Sequence, residues 1–385
     1  MTVLRYRYRV YPTAPQRQML ARTFGCVRTV YNDALAVFRD ARRAGRERPS
    51  MGAVAKAVTT DAKRTPERAW LGEVSAVPLQ QALRDLARAY ANFFASLEGE
   101  RQGPRAGPPR FKKRSGRQAA RFTRNAFSLA ANGRLYVAKV GRVKVAWSRG
   151  LPSEPSSVTI VKTLTGKYYA SFVVVAEDGA ELAAPIEDEA AETGIDLGLK
   201  AFAVLRGGKV IENPRFFRKL ERKLKRAQRA LSRKRRGGAN RAKARLRVAK
   251  IHEKIKDSRS DWVNKRVAAL VSEHQALYVE DLCVVGLSRG RAAKSVHDAA
   301  FGMFLSRLET KAARAGRTFV KVDRFFPSTR LCSSCGALTG PAGVEGLEVR
   351  EWTCGCGASH ARDANAEINI RREGRRLVAE GPPDT

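Results

Sequence analysis

The chain opens on an alternation. Val3, Tyr6, Tyr8 and Val10 interleave with basic or polar residues over residues 1–12, the period-two signature of a strand. The period then lengthens. Leu20, Phe24, Val27, Tyr31, Leu35 and Phe38 recur at helical spacing between Pro15 and Arg43, and Leu79, Leu83, Leu86, Tyr90, Phe93 and Leu97 repeat the pattern further on. Two amphipathic helices with an aromatic core are expected. The segment 103–118, GPRAGPPRFKKRSGRQ, is broken by Pro and Gly and is basic, which suits a linker or a phosphate-gripping loop. From 120 to 177 the pattern is strand-like again, with RLYVAKVGRVKVAW and KYYASFVVVA and a turn at TGK.

A new unit begins at 191. TGIDLGLKAFAVLRGGKVIE reads as three short strands, with a turn at RGG. Residues 215–250 still carry helical stripes, Leu220, Leu224 and Leu231, then Leu246, Val248 and Ile251. They predict two long helices broken near Gly237–Gly238, the second running to about Glu273. ALYVEDL (276–282) is a short apolar strand, AFGMFLSRLETKAARAG a helix and RTFVKVD a strand. DANAEINIRREG closes the pattern as a last helix, and the tail GPPDT is expected to fray.

Charge changes this picture most. The 385 residues hold 74 Lys+Arg against 37 Asp+Glu, a net +37. A compact chain so basic repels itself unless a polyanion neutralises it. Residues 215–250 hold 17 Lys/Arg and one carboxylate, Glu221, which is too unbalanced for an ordinary solvated helix face. Nucleic acid is the expected partner, gripped through phosphates. The basic candidates are Arg110, Lys112 and Lys113, then Arg218, Lys219, Arg222, Lys225, Arg226, Arg229, Arg233, Lys234, Arg235 and Arg236, taken as a set. No apolar run approaches the ~18 residues of a spanning helix, and MTVLRYRYRVYP lacks the apolar core of a signal peptide. The expectation is a cytoplasmic protein, associated with the nucleoid when on DNA, with no membrane partner.

Six cysteines are present. In a reducing compartment paired cysteines favour metal over disulfides. Cys332 and Cys335 form C-x-x-C, and Cys354 and Cys356 form C-x-C after 18 intervening residues. Two such pairs suit one tetrahedral structural Zn²⁺, holding a loop too small for its own core. The second pair is one residue short of the usual spacing, so His360 is a substitute ligand should one thiolate fail to reach. Cys26 and Cys283 lie in apolar contexts and read as core.

Three carboxylates stand out. Asp196 (GIDLG) and Glu280 (YVEDL) sit in apolar strands, where a charge is costly unless paired or metal-bound. Asp363 opens the last helix. Each alone has a plain alternative: a turn residue, a partner for an arginine, a helix N-cap. Asp281, beside Glu280, competes with it, although alternation sends the two to opposite faces. Together, a first-strand Asp, a later-strand Glu and a helical Asp have the layout of an RNase H-like nuclease, in which carboxylates hold two Mg²⁺ ions about 4 Å apart.

The order GIDLGLKAFAV, basic helices, VEDL, FFPSTRLCSSCG, WTCGCG and HARDANAEINI resembles the TnpB family, transposon-encoded RNA-guided DNA nucleases related to type V CRISPR effectors. RYRVYPTAPQRQML, WLGEVSAVPLQQAL, YANFF and PPRFKKR extend the resemblance over nearly the whole chain. The resemblance implies a multidomain α+β protein: a helical recognition lobe, a β-barrel wedge domain, and an RNase H-like (RuvC) α/β domain with an inserted zinc ribbon. It implies a wedge strand at 1–11, recognition helices at 12–102, the wedge barrel at 103–185, RuvC at 186–327, the zinc insertion at 328–360, the end of RuvC at 361–376 and a tail at 377–385. Asp196, Glu280 and Asp363 then occupy the three RuvC catalytic positions, with the zinc module just ahead of the third. One departure is Ala361, where the family commonly has Asp before Arg-Asp. Implied partners are a guide RNA from the transposon end and target double-stranded DNA beside a short flanking motif, with no oligomer required. Gln80, Gln81, Thr123 and Asn125 are candidates for reading that motif, amides being able to pair with adenine. Two rival readings share the fold: an RNA-guided repressor that binds without cutting, and an unguided transposase or resolvase.

Overall fold

The computed structural model describes residues 2–176, 182–188, 191–290, 292–343, 346 and 348–381. The chain divides into two compact units, Met1–Asp178 and Gly179–Thr385.

The first unit starts with β1 (Thr2–Tyr11), whose burial alternates with Leu4, Tyr6, Tyr8 and Val10 inside; Val3, expected among them, is exposed because it lies one residue out of that register. The long helix α1 (Ala14–Arg43) follows, opened by a capping box between Thr13 and Gln16 with Pro15 in its first turn. After a short α2 (Met51–Ala55) comes α3 (Ala76–Leu97). Then come β2 (Gln118–Thr123), β3 (Phe127–Leu129), β4 (Leu135–Val137), β5 (Gly141–Ala146), β6 (Ser157–Lys162) and β7 (Tyr168–Ala176). They join β1 in a seven-stranded antiparallel sheet of order β2-β6-β7-β1-β5-β4-β3. Its edge strands, β2 and β3, follow each other in sequence through one tight turn, Arg124–Ala126, so the sheet curls nearly shut. Tyr8, Phe122 and Phe172 are fully buried, and one continuous core runs from the sheet to α1 and α3. The expected core of α3 stops short, because the helix outruns the sheet: Tyr90 and Phe93 are half-buried, and Leu97 is exposed.

The second unit opens with β8 (Glu192–Leu197), β9 (Ala201–Leu205) and β10 (Lys209–Glu212) as consecutive antiparallel strands. Gly207 and Gly208 turn β9 into β10 at positive φ, a conformation other residues resist. The basic helices α4 (Phe216–Ser232) and α5 (Ala239–Glu273) are separate, with Gly237 at positive φ in the break. They pack on each other through Leu224, Ala227, Ile251 and Ile255. Next come β11 (Ala276–Glu280), α6 (Val284–Leu287), α7 (Ala293–Ala299), α8 (Phe301–Arg314) and β12 (Thr318–Val322). The ribbon strands β13 (Glu351–Thr353) and β14 (Ser359–Ala361) lead into α9 (Arg362–Glu380). The five-stranded sheet has the order β10-β9-β8-β11-β12, with β8, β11 and β12 parallel.

Three expectations change. Helix α9 does not stop at Gly374 or at 376 but reaches Glu380, and Leu377 packs on the core beside Tyr278 and Ile370. Cys283 is exposed rather than core, because the chain leaves the sheet after Glu280, whereas Cys26 is buried. Helices α6 and α7 were not anticipated. The fraying expected of GPPDT falls on residues that lie, after Gly381, outside those described.

Candidate active site

The parallel pairing of β8 and β11 sets Ile195 opposite Val279. One step along each strand are Asp196 and Glu280, so two carboxylates leave the sheet side by side at its C-terminal edge. Ligands in open α/β sheets gather at such edges. The third carboxylate, Asp363, lies in the first turn of α9, whose N-cap is Ala361. A helix N-terminus favours an anion there.

What aims α9 is its own sequence. Asp363, Glu367, Arg371 and Arg375 recur every four residues and share one face. Glu367 Oε1 accepts the Gly194 backbone N–H at 2.9 Å, and Arg371 bonds both Glu367 (3.1 Å) and Glu192 (3.2 Å). Arg375 reaches Glu192 at 2.7 Å, and the Tyr278 hydroxyl donates to Glu192 at 3.3 Å. The buried carboxylates of Glu192 and Glu367 are thus paired and hydrogen-bonded, the condition under which burial is tolerated. Gly194 lets the helix come this close: a Cβ there would stand 2.3 Å from the Glu367 carbonyl oxygen.

The opposite face of α9 holds the cysteine module. Asn365 Oδ1 accepts the Ser333 N–H at 2.9 Å, and its amide donates to Leu331 O at 2.8 Å. Asn369 donates to Ser328 O at 2.8 Å and to Leu331 O at 2.6 Å. Arg372 donates to Ser333 O. Ser328 is buried, and its hydroxyl donates to Glu280. Ser328, Asn365 and Asn369 were missed from sequence; the i, i+4 asparagines in DANAEINI were the available signal.

Burial and charge both act on Asp196. Burial, then the charges of Glu280 and Asp363, push the Asp196 carboxyl up to about 8, with Arg362 and Arg350 pulling the other way. Asp196 is enclosed by neighbouring atoms yet keeps a partly open side chain, as a group facing a cleft does. Arg350 also pairs with Asp363 at 3.4 Å. Asp281 points elsewhere: its N–H continues the ladder to Val322, and its carboxylate binds Arg324 at 2.5 Å.

The four cysteines gather more tightly. Their sulfurs all lie within 4.8 Å of one another, and among the described residues only this group gathers its ligand atoms so closely. Cys332 and Cys356 are 3.8 Å apart, and Cys335 and Cys354 3.6 Å. A tetrahedron with metal–sulfur bonds of about 2.3 Å has edges of about 3.8 Å. The cluster can therefore hold a zinc ion. Each pair sits on a knuckle turn, with Gly336 N–H on Cys332 O and Gly357 N–H on Cys354 O; both glycines are at positive φ. The second knuckle is one residue tighter, which is how C-x-C reaches. The Cys356 N–H and the Thr339 hydroxyl hold the Cys354 thiol down at about 6, on the thiolate side. His360 replaces no cysteine; its Nε2 lies 3.0 Å from Cys332 Sγ, in hydrogen-bond contact.

The basic candidates divide. Lys219, Arg222, Arg226, Arg229, Arg233, Lys234, Arg235 and Arg236 are exposed on α4 and the turn after it. Lys225 pairs with Glu221 at 3.1 Å, and Arg218 bonds Ser295 at 2.9 Å. Arg110 and Lys113 are exposed, but Lys112 turns inward over Tyr31, 3.7 Å from the ring centroid, and burial lowers its pKa. Gln80 is exposed and Gln81 is buried along a basic cleft. Thr123 and Asn125 bond each other at 2.9 Å.

Known proteins carry the same pattern. Residues 173–291 match the OrfB family of IS605 elements, described as a probable transposase. Residues 301–370 match the Cas12f1-like TNB domain, and residues 1–47 match the OrfB helix-turn-helix domain. A protein of Streptomyces pristinaespiralis named "Putative RNA-guided DNA endonuclease" is 43% identical over 374 residues, which is 96% of this chain and 89% of that protein. The chain belongs to the TnpB family. Another relative, the InsQ protein of Escherichia coli, bears the same description and is 31% identical over 287 residues, 74% of this chain and 68% of InsQ. In three dimensions the TnpB chain is similar to Cas12f1 in a cryo-EM complex with sgRNA and target DNA, at TM-score 0.55 and 12% identity, covering 96% and 98% of the two chains. No described helix is long and apolar enough to cross a membrane.

Proposed function

We propose that this TnpB protein is an RNA-guided DNA endonuclease of a mobile element, with Asp196, Glu280 and Asp363 as its catalytic carboxylates. One arrangement supports the reading: the β8–β11 register brings Asp196 and Glu280 to one sheet edge, and burial, then the charges of Glu280 and Asp363, raise the Asp196 carboxyl to about 8. A buried acid beside two others is unfavourable in its charged form unless a cation enters, and an all-oxygen set suits Mg²⁺. Two Mg²⁺ ions, when bound, would activate the attacking water and stabilise the departing 3′ oxygen. The protein's part is to hold the acids in place. β8 and β11 fix two of them in register, and the two-sided clamp on α9 fixes the third. The strand order supports an RNase H-like domain from about 186, interrupted by a zinc ribbon at 328–360 with Zn²⁺ on Cys332, Cys335, Cys354 and Cys356. We assign the helices of 12–102 to a recognition lobe and the first-unit sheet to a wedge domain.

A guide RNA from the transposon end and double-stranded target DNA are the proposed partners, in keeping with the names and complex of its relatives. The exposed arginines and lysines of α4 are offered as phosphate contacts. In such proteins base pairing reads the sequence, while the protein reads a short flanking motif and duplex shape. The test is to incubate the purified ribonucleoprotein with matched DNA and Mg²⁺. Guide-dependent cutting that disappears in Asp196→Ala is expected. Cutting that proceeds equally without RNA would sink the guided reading, and binding without cutting would make the protein a repressor.

A further inference from the structure

Helices α1 and α3 leave a pocket of about 380 Å³ between their C-terminal ends. Its walls are aromatic. Phe38 and Tyr90 meet edge-on with centroids 5.4 Å apart, and Tyr90 and Phe94 lie nearly parallel at 6.1 Å. Phe94 is 38% exposed, so core packing does not account for it. The guanidinium of Arg48 lies over all three rings, 5.1 Å from Phe38, 4.8 Å from Tyr90 and 5.4 Å from Phe94. Arg42 lines the same pocket, and among the described residues no carboxylate does. The far wall is fixed in advance. Arg39 donates to Pro109 O at 2.9 Å, and Asn32 and Lys112 exchange hydrogen bonds of 2.8 and 3.0 Å.

The occupant must therefore bring a flat face for the rings and negative charge for the arginines. An apolar side chain supplies no charge, and an acidic one supplies no stacking face. A nucleotide supplies both, and a cavity this size lies at the small end of the ~300–1,000 Å³ of ligand sites. Arg48 is exposed and is a displaceable cover, because cation–π contacts at exposed sites are weak. RNA rather than DNA fits, since folded RNA presents loops and bulges whose unstacked bases are taken up on aromatic and guanidinium planes. We infer that this pocket takes one unpaired nucleobase of the guide RNA, stacked on Phe94 and Tyr90, with its flanking phosphates on Arg42 and Arg48. The inference rests on the RNA-guided reading and adds a place where the RNA is held.

The test uses the RNA that co-purifies with the full-length chain, bound to wild type and to Phe94→Ala, Phe94→Leu and Phe94→Tyr, each checked for folding by circular dichroism. Losing one stacked base worth ~1–3 kcal/mol weakens binding about 5- to 150-fold, so Ala and Leu should fall in that range. Tyr should stay within about twofold. With 4-thiouridine in the RNA, crosslinks to the pocket should map to a single position and vanish in Phe94→Ala. Equal affinity in all four proteins would overturn the inference. So would Leu binding as well as Tyr, since the pocket would then be merely apolar. Loss of duplex-DNA binding in the absence of RNA, with RNA affinity intact, would reassign the pocket to DNA. A wild-type chain that binds no RNA would fail the functional reading itself, whereas RNA binding indifferent to Phe94 would fail only the pocket.

Discussion

Asp196 offers the sharpest test, because its charge should destabilise the protein that holds it. Its carboxyl is raised from 3.8 to about 8 by burial and by Glu280 and Asp363. The folded state therefore binds more protons than the unfolded state between those values, so stability falls as pH rises through that window. At pH 7 the folded carboxyl is mostly protonated and the unfolded one ionised. The difference is about three pH units at ~1.36 kcal/mol each, or roughly 4 kcal/mol. Relaxation and water entry reduce this to about 2–4 kcal/mol. Asp196→Asn keeps the shape and removes the ionisation. In buffer without added Mg²⁺, with zinc retained, the variant should melt about 5–10 °C above wild type at pH 7, by the scaling for a unit of this size. The gap should close toward pH 4, and Mg²⁺ should narrow it by stabilising the wild type alone. Calorimetry of both proteins from pH 4 to 8 reads the ionisation of Asp196 together with its coupling to Glu280 and Asp363, because groups elsewhere are common to the pair. A variant no more stable than wild type at pH 7–8, or a gap that ignores pH, would show that burial and the neighbouring acids do not raise the Asp196 carboxyl.

Other predictions follow from single contacts. Cys335→Ser should lower bound zinc from about one per chain to a small fraction, read by elemental analysis of the purified protein. Gly194→Ala should destabilise the second unit by ~3 kcal/mol or more, because its Cβ would meet the Glu367 carbonyl at 2.3 Å and backbone cannot rotate away; a thermal melt within 1 °C of wild type would contradict this. Asn369→Leu should lose about 1–2 kcal/mol in the same melt, since the carbonyls of Ser328 and Leu331 each lose a donor while Asn365 still serves both.

The sequence was most legible where one face decides. Alternation in β1 and the helical stripe of α1 survive because each has a single apolar side to bury. The acids at 196 and 280 were visible as charges in otherwise apolar strands. Their surroundings were not, because Arg350, Arg362 and Ser328 come from elements far off in sequence, and the asparagines act only through the backbone that carries Ser328. Gly374 shows the limit well. It looked like a helix terminator, but α9 passes through it, and a Cβ there would stand 2.1 Å from the Tyr278 ring. A glycine demanded by close approach and one demanded by chain reversal are identical in sequence. Helices α6 and α7 are too short to show a period, and Cys283 lay among apolar residues that the chain carries out past the strand edge.

The placement of a lone carboxylate just behind a cysteine cluster now has a mechanical account. Asp363 is only the second residue of α9, and a helix end alone frays. Here its first three turns are gripped from both sides. Glu367 and Arg371 tie one face to β8, and Asn365, Asn369 and Arg372 tie the other to the backbone of the first cysteine knuckle. Ser328 closes the circuit, giving its carbonyl to Asn369 and its hydroxyl to Glu280. A metal on the four sulfurs would therefore stiffen more than its own loop. It would fix the carbonyls that hold α9 and the hydroxyl that bonds Glu280, so the cysteine loop and the carboxylates would form one mechanical unit.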